Sequence, residues 1–118
     1  MAWEVECGDE FTEWWNRLTE DEQVSVSAIV TVLSEKGPNL RRPYVGKLER
    51  SKLPNLKELV IQHRGDPYRV LFAFDPRQTA ILLLGGKKGA KGWYSDAIAK
   101  AEKLYAHYLK ELKKEGLI

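Results

Sequence analysis

The sequence is poor in the residues on which many enzymes and binding modules depend. It has a single cysteine, Cys7, which excludes an internal disulfide and any multi-cysteine metal site, and only two histidines, His63 and His107. We therefore expect no metal site and no other cofactor. No serine lies in a G-x-S-x-G motif, and the glycine-rich stretch GGKKGAKG does not follow the P-loop pattern G-x-x-x-x-G-K-[ST].

Long apolar runs are also absent. No stretch approaches the roughly 18 residues that a membrane-spanning helix needs. The acidic start, MAWEVECGDEF, lacks the apolar segment of a signal peptide. We expect a protein of the reducing cytoplasm with no membrane partner. Its length of 118 residues and its hydrophobic share of 43% predict one domain over residues 1–118.

The net charge is only +2, but the charges are unevenly placed. Eight acidic residues crowd the first 22 positions, whereas basic residues crowd the middle of the chain. Such an asymmetry predicts one basic face. A face of this kind can bind a phosphate-bearing partner even though the net charge of the whole chain is small.

The first half of the chain is predicted to form a strand and two helices. Residues 3–7 alternate apolar and acidic side chains, as in a half-buried strand. Residues 11–18 carry apolar side chains at helical spacing. Residues 24–33 fit either a strand or a helix, but the capping box at Thr19–Glu22 and the Gly37-Pro38 stop favour a helix.

The second half is predicted to form an antiparallel meander and a final helix. A proline-rich loop leads through a short strand at 44–49 and an apolar stretch at 56–62. Residues 68–74 alternate strictly, and residues 79–84 form a continuous apolar run after a tight turn. Apolar residues at helical spacing from Ile98 to Leu112 predict the final helix. The fold class is α+β, with the helices expected on one face of a small antiparallel sheet.

Arg69 is the most informative residue, because a mid-strand guanidinium must reach solvent, a carboxylate or a phosphate. Alone, Arg69 could simply pair with Glu58 or Asp75. In a hairpin, however, the end of the 79–84 strand returns near the start of the 68–74 strand. We therefore expect Lys87 and Lys88 to approach Arg69 and Arg64, with Tyr94 close by.

A cluster of arginine, lysine and tyrosine without a metal suits the cleavage of RNA. The substrate supplies its own nucleophile, the 2′-hydroxyl, and the protein orients it, removes its proton and stabilises the charged transition state. Arginine binds phosphate through two hydrogen bonds, and aromatic rings stack on unpaired bases. For the general base, a lysine, Tyr94 and His63 remain open.

The run LVIQHRGDPYRVLFAFDPRQTAILLLGGKKGAKGWY resembles the HigB branch of the RelE/ParE toxin superfamily and its phage-derived relatives. Members are similar to it in the Glu-Leu pair, here Glu58 and the first leucine of the run, in Pro-Tyr-Arg, in Ala-Phe-Asp-Pro, in the apolar strand ending in Gly-Gly and in the aromatic pair that opens the last helix. This resemblance covers about half the chain and implies a RelE-like fold: an antiparallel sheet, two N-terminal helices and a C-terminal helix.

The resemblance also implies a function, partners and site residues. The function would be that of a type II toxin, a metal-independent endonuclease that cuts mRNA in the ribosomal A site, with a helix-turn-helix, HigA-like antitoxin and the ribosome as partners. By position, the resemblance gives catalytic roles to Arg69, Tyr94 and Lys87 or Lys88, and we add Arg64 as a further catalytic candidate. From the basic and aromatic residues themselves, we expect RNA binding by Lys88, Lys91, Trp93, His63 and Arg77.

One position departs from the family's pattern. Where relatives carry an arginine after Glu-Leu, this chain has Val60, and Arg64 is the candidate that could replace the missing charge. Two other functions stay open: a ParE-like inhibitor of DNA gyrase, and an inert module that binds RNA or an antitoxin.

Overall fold

The computed structural model describes residues 2–118 and has five strands and three α-helices in that range. A short 3₁₀ turn, Gly37–Asn39, follows the second helix. The elements are β1 (Val5–Cys7), α1 (Asp9–Arg17), α2 (Glu20–Lys36), β2 (Val45–Lys47), β3 (Lys57–His63), β4 (Asp66–Phe74), β5 (Ala80–Lys87) and α3 (Trp93–Lys114). Within this range no helix is both long and apolar enough to cross a membrane. The α+β prediction is confirmed.

The five strands form one sheet in the order β1-β5-β4-β3-β2. The meander of β2 to β5 is antiparallel, as predicted, but β1 pairs with β5 in parallel. The sheet is therefore mixed rather than wholly antiparallel. The alternation in β1 shows that the segment is a strand, but it carries no information on which edge the strand joins or in which direction.

The helices cover both faces of the sheet, so the expectation that they share one face is wrong. On one face, Phe11 and Trp14 of α1 and Val26 and Leu33 of α2 pack against the sheet. On the other, α3 packs through residues that include Ala101 and Tyr105. The sequence of β4 requires this arrangement. Successive residues from Val70 to Ala73 point to alternate faces of the sheet and are all fully buried, so both faces must be covered. Arg69 belongs to the α3 face, since it alternates with Tyr68 and Val70.

The capping box at the start of α2 forms as predicted. Thr19 Oγ1 accepts a hydrogen bond from the Glu22 amide at 3.2 Å, and Glu22 Oε1 accepts one from the Thr19 amide at 2.8 Å. These bonds satisfy two amides that the helix itself leaves without partners. Glu22 also accepts a hydrogen bond from the Tyr68 hydroxyl and so ties α2 to β4.

The turn between β4 and β5 is organised by the buried carboxylate of Asp75. It accepts hydrogen bonds from the Arg77 and Thr79 amides, at 2.8 and 3.1 Å, and from Arg77 Nη2 at 2.9 Å. The Tyr108 hydroxyl of α3 lies 2.9 Å away. Burial raises the pKa of Asp75, but these donors outweigh it and hold the pKa below its ordinary value.

Replacing Asp75 by alanine should destabilise the fold by about 3 kcal/mol, because Arg77 and two amides lose a buried partner. Glu6→Ala removes the exposed carboxylate that also contacts Arg77 and should cost less than about 1 kcal/mol. Urea unfolding compares the two variants.

The stabilisation by Asp75 should depend on pH. Because the folded-state pKa of Asp75 is lowered, its contribution to the free energy of unfolding is present above pH 3.8, the ordinary value, and is lost as the pH falls through the folded-state value. The gap between wild type and Asp75→Ala should therefore narrow in acid; a gap that stays constant would contradict this account.

Candidate functional site

Two strands and the start of α3 bring three polar side chains together on one face of the sheet. Glu58 of β3 lies opposite Leu71 of β4 in the register, and Arg69 lies two residues before Leu71. Arg69 Nε is 3.1 Å from Glu58 Oε1. The hydroxyl of Tyr94, in the first turn of α3, donates to the same Oε1 at 2.6 Å and accepts from Arg69 Nε at 3.3 Å. We refer to these residues as the Glu58–Arg69–Tyr94 cluster.

The cluster is largely shielded from water. The side chains of Arg69 and Glu58 are 11% and 14% exposed. Arg69 Nη1 donates to the Tyr68 carbonyl at 3.0 Å, so the guanidinium is held by the backbone as well as by the carboxylate. Such pairing makes the burial of an arginine tolerable. Of the two carboxylates considered for Arg69 from sequence, the structure selects Glu58.

Tyr94 is kept protonated by its surroundings. Burial raises its pKa, and the hydrogen bond to Glu58 raises it further, whereas Arg69 acts in the opposite direction. The net increase keeps the phenol protonated near neutral pH, so it can donate a hydrogen bond and, to a more basic oxygen, its proton. It argues against Tyr94 as the general base, one of the possibilities left open by the sequence.

The second oxygen of Glu58 remains available. Within residues 2–118, Glu58 Oε2 accepts no hydrogen bond, and Arg69 Nη2 donates none. No side-chain nitrogen or oxygen in that range is both buried and unpartnered, so both atoms reach solvent. Gly46 of β2 lies opposite Glu58, and a methyl group there would come within 3.2 Å of Oε2. The absence of a side chain at this position leaves the carboxylate accessible.

The two glycines that end β5 allow aromatic side chains to approach the sheet closely. A Cβ at Gly85 would overlap the Trp14 ring, and one at Gly86 would lie 2.9 Å from the Trp93 ring. Gly86 is directly opposite Arg69. Trp93 contacts Tyr94 edge to face, with ring centroids 5.1 Å apart. Trp93 therefore packs as a support for Tyr94, and it is partly buried.

The three lysines after these glycines do not behave alike. Lys87 lies opposite Tyr68, so it faces the α1–α2 side, and its ammonium pairs with Asp66 at 2.9 Å. The expectation that Lys87 approaches Arg69 is wrong. Lys88 is the lysine beside the cluster, with Nζ 5.4 Å from the centroid of the Tyr94 ring. Lys91 is exposed in the loop before α3.

Three other predicted site residues lie away from the cluster. Arg64, in the turn between β3 and β4, forms an exposed ion pair with Asp21 at 2.6 Å, so it does not replace a charge at Val60. His63 Nδ1 is 2.7 Å from Ser25 Oγ of α2, on the opposite face of the sheet from Arg69. Arg77 is bound to Asp75 beyond the far end of β4. An RNA-binding role for Arg77 is disfavoured, because the turn already occupies its guanidinium.

Glu58 is the functional candidate that the sequence reasoning missed. The sequence alone indicates Glu58 only as a possible counterion of Arg69. The signal was the strand register: residues 57–63 and 66–74 flank a turn of two residues, and pairing them outward from that turn places Glu58 and Arg69 on one face. Val60 lies directly across from Arg69 on that face, so an arginine here would adjoin the cluster.

Comparison with known proteins adds a family to this geometry. Residues 13–106 match the family described as phage derived protein Gp49-like (DUF891). The chain belongs to this family. Among curated relatives of the Gp49-like chain, the candidate toxin HigB3 of Mycobacterium tuberculosis is 41% identical over 98 residues, which cover 81% of this chain and 84% of that protein. The candidate toxin HigB2 of the same organism is 34% identical over 116 residues, 96% of this chain and 57% of that protein.

Solved structures place the Gp49-like chain in the RelE fold. A free double mutant of the Escherichia coli toxin RelE has a TM-score of 0.62 at 16% identity, covering 87% of this chain and 97% of that one. The RelBE2 toxin–antitoxin complex of M. tuberculosis gives a TM-score of 0.56 at 18% identity, covering 75% of this chain and all of the matched one. With the HigB-named relatives, these matches confirm the predicted membership in the HigB-like branch of the RelE superfamily.

Proposed function

We propose that the chain is the toxin of a toxin–antitoxin pair and that, as one domain over residues 1–118, it cleaves mRNA in the cytoplasm. The toxin role is supported by the HigB-named relatives. The cleavage activity rests on one observation: Glu58, Arg69 and Tyr94 meet with a free carboxylate oxygen and a free guanidinium nitrogen at the surface. This arrangement supplies an acceptor, a phosphate-binding fork and a donor within one cluster.

The proposed reaction needs only the substrate and these three groups. Glu58 Oε2 takes the proton of the 2′-hydroxyl, the 2′-oxygen forms a bond to phosphorus, and the bond from phosphorus to the 5′-oxygen breaks. Tyr94 gives its proton to the departing 5′-oxygen. Since the Tyr94 hydroxyl is 2.6 Å from Glu58 Oε1, the proton taken up by Glu58 can restore the phenol. The products are a 2′,3′-cyclic phosphate and a 5′-hydroxyl.

Arg69 stabilises the charge that develops on the phosphate. Its Nη2, which donates to no residue in the range 2–118, can donate to a non-bridging oxygen while Nε stays with Glu58. The contact to the Tyr68 carbonyl fixes the plane of the guanidinium before substrate arrives. Such preorganised donors account for much of the rate enhancement in reactions of this type. Lys88, beside the Tyr94 ring, adds positive charge at the same edge.

Partners follow from the same assignment. Several structural neighbours were solved as complexes of a toxin with its antitoxin. We propose a HigA-like helix-turn-helix antitoxin for this chain, docked on the outward edge of β1 or on α1 and α2, away from the cluster. The proposed substrate is mRNA presented in the ribosomal A site, so the ribosome is a second partner.

Induced expression tests the function in a host cell. Protein synthesis should stop within minutes, mRNA should be cut, and coexpression of the antitoxin should restore growth. A gyrase inhibitor of the same fold would instead trigger DNA-damage signalling with intact mRNA. Normal growth together with retained antitoxin binding would indicate an inert binding module.

Replacing Tyr94 by phenylalanine should lower kcat about 10- to 100-fold, because the departing oxygen loses its proton donor. KM should change little, since Arg69 and Glu58 keep their positions. Tyr105→Phe is the matched control, because it removes another part-buried hydroxyl from the same helix, one that contacts Asn55 and the Phe74 carbonyl. Single-turnover cleavage measures both variants. Equal effects of the two substitutions would argue against proton donation by Tyr94.

A further inference from the structure

A cleft of about 810 Å³ opens beside the Glu58–Arg69–Tyr94 cluster. One wall is the segment 38–50, which includes β2, and the other is the start of α3. Glu58 and Tyr94 both line it, so the cleft is continuous with the proposed site of cleavage. Its volume falls within the range of pockets that enclose small organic ligands, about 300–1,000 Å³. None of the site residues predicted from sequence other than Tyr94 lines this cleft.

The cleft combines an apolar lining with a cationic rim. The apolar part comprises Leu40, Val45, Leu48 and Ile98. The basic residues of the lining are Arg41, Arg42, Lys47, Arg50 and Lys57, against two acids, Glu49 and Glu58. The ammonium of Lys57 lies over the Phe74 ring, on the α2 side of β3. Lys47 is directly opposite Lys57 and shares that face, which leaves three arginines for the cleft.

The three arginines of the 41–50 segment, Arg41, Arg42 and Arg50, are available to bind a ligand. Within residues 2–118, none of them lies within 4.0 Å of a carboxylate, whereas Arg64, Arg69, Arg77 and Lys87 all do. All three are exposed. Unpaired bases on the rim of an apolar cleft favour a ligand that carries both anionic groups and a flat apolar body.

We propose that this cleft binds single-stranded RNA next to the scissile phosphate, with phosphates on the arginine rim and one unstacked base on the apolar lining. The assignment rests on the proposed cleavage activity for its orientation, since it places the neighbouring ribose at Glu58. An acidic peptide is a poorer fit, because its carboxylates could pair with the arginine rim but it offers no flat ring for the apolar lining and no sugar hydroxyl for Glu58. A ribose 2′-hydroxyl, in contrast, can donate to the free Glu58 Oε2 beside Gly46. Unpaired bases and the 2′-hydroxyl are the features by which proteins distinguish single-stranded RNA.

Binding can be measured apart from cleavage with a fluorescent, fully 2′-fluorinated uridine hexamer, which lacks the nucleophile and adds no bulk in front of Glu58. This probe reports the phosphate and base contacts of the cleft and not the hydroxyl contact to Glu58. The double substitution Arg41→Glu/Arg42→Glu should weaken binding at least about tenfold and reduce the slope of log K against log salt by about 1.4, for two lost phosphate contacts on a single strand. The matched control Arg17→Glu/Lys110→Glu makes the same change in net charge at exposed positions on α1 and α3. It should alter the affinity less than about threefold.

A second variant tests the cleft without changing charge. Gly46→Val fills the wall in front of Glu58 and places a β-branched residue in a strand, where it is well tolerated. It should weaken binding of the hexamer about fivefold while the urea midpoint stays at or above that of wild type.

The proposal is overturned if the cleft and control double variants bind the hexamer equally, or if wild type does not bind it at millimolar concentration. It is also overturned if the cleft variant loses binding of a hexaglutamate peptide while RNA binding is intact, because the cleft would then be a protein-docking site. Failure of the cleavage reaction is a separate result: wild type would bind the hexamer through the cleft but cut no RNA.

Discussion

Arg69→Ala should reduce RNA cleavage by about 10²- to 10³-fold, the usual loss when a preorganised donor to a transition-state anion is removed. The effect should fall mainly on kcat, because the free Nη2 is proposed to bind the phosphate as its charge develops. Arg69→Lys should recover only part of the activity, since a lysine keeps the charge but lacks the planar fork. The measurement is single-turnover cleavage of a ribosome-bound message.

Two controls separate catalysis by Arg69 from folding. Arg69→Ala leaves Glu58 without its cationic partner, so the stability of this variant must be measured by urea unfolding alongside the kinetics. If the alanine variant is unstable, Arg69→Lys replaces it in the kinetic comparison, because it retains a positive charge. Arg64→Ala removes an exposed arginine that is bound to Asp21 and should leave cleavage within about twofold of wild type. If Arg64→Ala were as damaging as Arg69→Ala, the placement of the site would be wrong.

Glu58→Gln should be the more informative change, with a loss of about 10²- to 10⁴-fold in kcat because the proposed general base is removed. Glutamine has nearly the same shape and can still accept the hydrogen bond from Tyr94. RNA binding should be unchanged or tighter, since a negative charge beside the phosphates is lost. The decrease in kcat without a decrease in affinity is the expected signature of a base.

The alternative for Glu58 is that it serves only as a counterion for Arg69. In that case Glu58→Gln would retain most of the activity, and Lys88 would become the leading candidate for the base. Glu13→Gln, an exposed carboxylate on α1, provides the control for loss of one negative charge and should have no effect. Measuring kcat and the affinity for the 2′-fluorinated hexamer in wild type, Glu58→Gln and Glu13→Gln decides between the two roles.

The strands and helices could be predicted from local sequence patterns, because the spacing of apolar residues reflects which side chains are buried. The capping box and the Gly37-Pro38 stop identified α2 as a helix despite its β-branched residues. The alternation from Tyr68 to Phe74 predicted β4 and placed Arg69 on the face opposite Tyr68. That face also carries Leu71 and Ala73, whose apolar side chains indicate a second layer packed against the sheet. Both are buried under α3.

Lys87 could not be placed correctly from sequence, because the pairing of β5 with β4 contains an irregularity. Phe72 pairs with Leu82 but Leu71 pairs with Leu84, so one extra residue enters the strand. Such a bulge shifts every later side chain to the opposite face. Without it, Lys87 would lie on the face of Arg69; with it, Lys87 reaches Asp66. The alternation of a strand is read from its apolar residues, and β5 is apolar on both faces, so nothing local reveals the shift.

The partners of Glu58 and the basic cleft depend on contacts between distant segments. Gly46 reaches Glu58 only through the pairing of β2 with β3, and the sequence predicted a strand at 44–49 without its partner. The 41–50 segment contributes its arginines to the site because β2 is the outer strand beside β3. The local sequence shows a basic loop but not the cluster that it adjoins.

The most direct test of the central claim is the chemistry of RNA ends after the purified protein acts on a ribosome-bound message in the presence of a chelator. The account predicts fragments that end in a 2′,3′-cyclic phosphate and begin with a 5′-hydroxyl, produced by wild type and lost with Glu58→Gln. An intact message, or fragments formed equally well by Glu58→Gln, would contradict it.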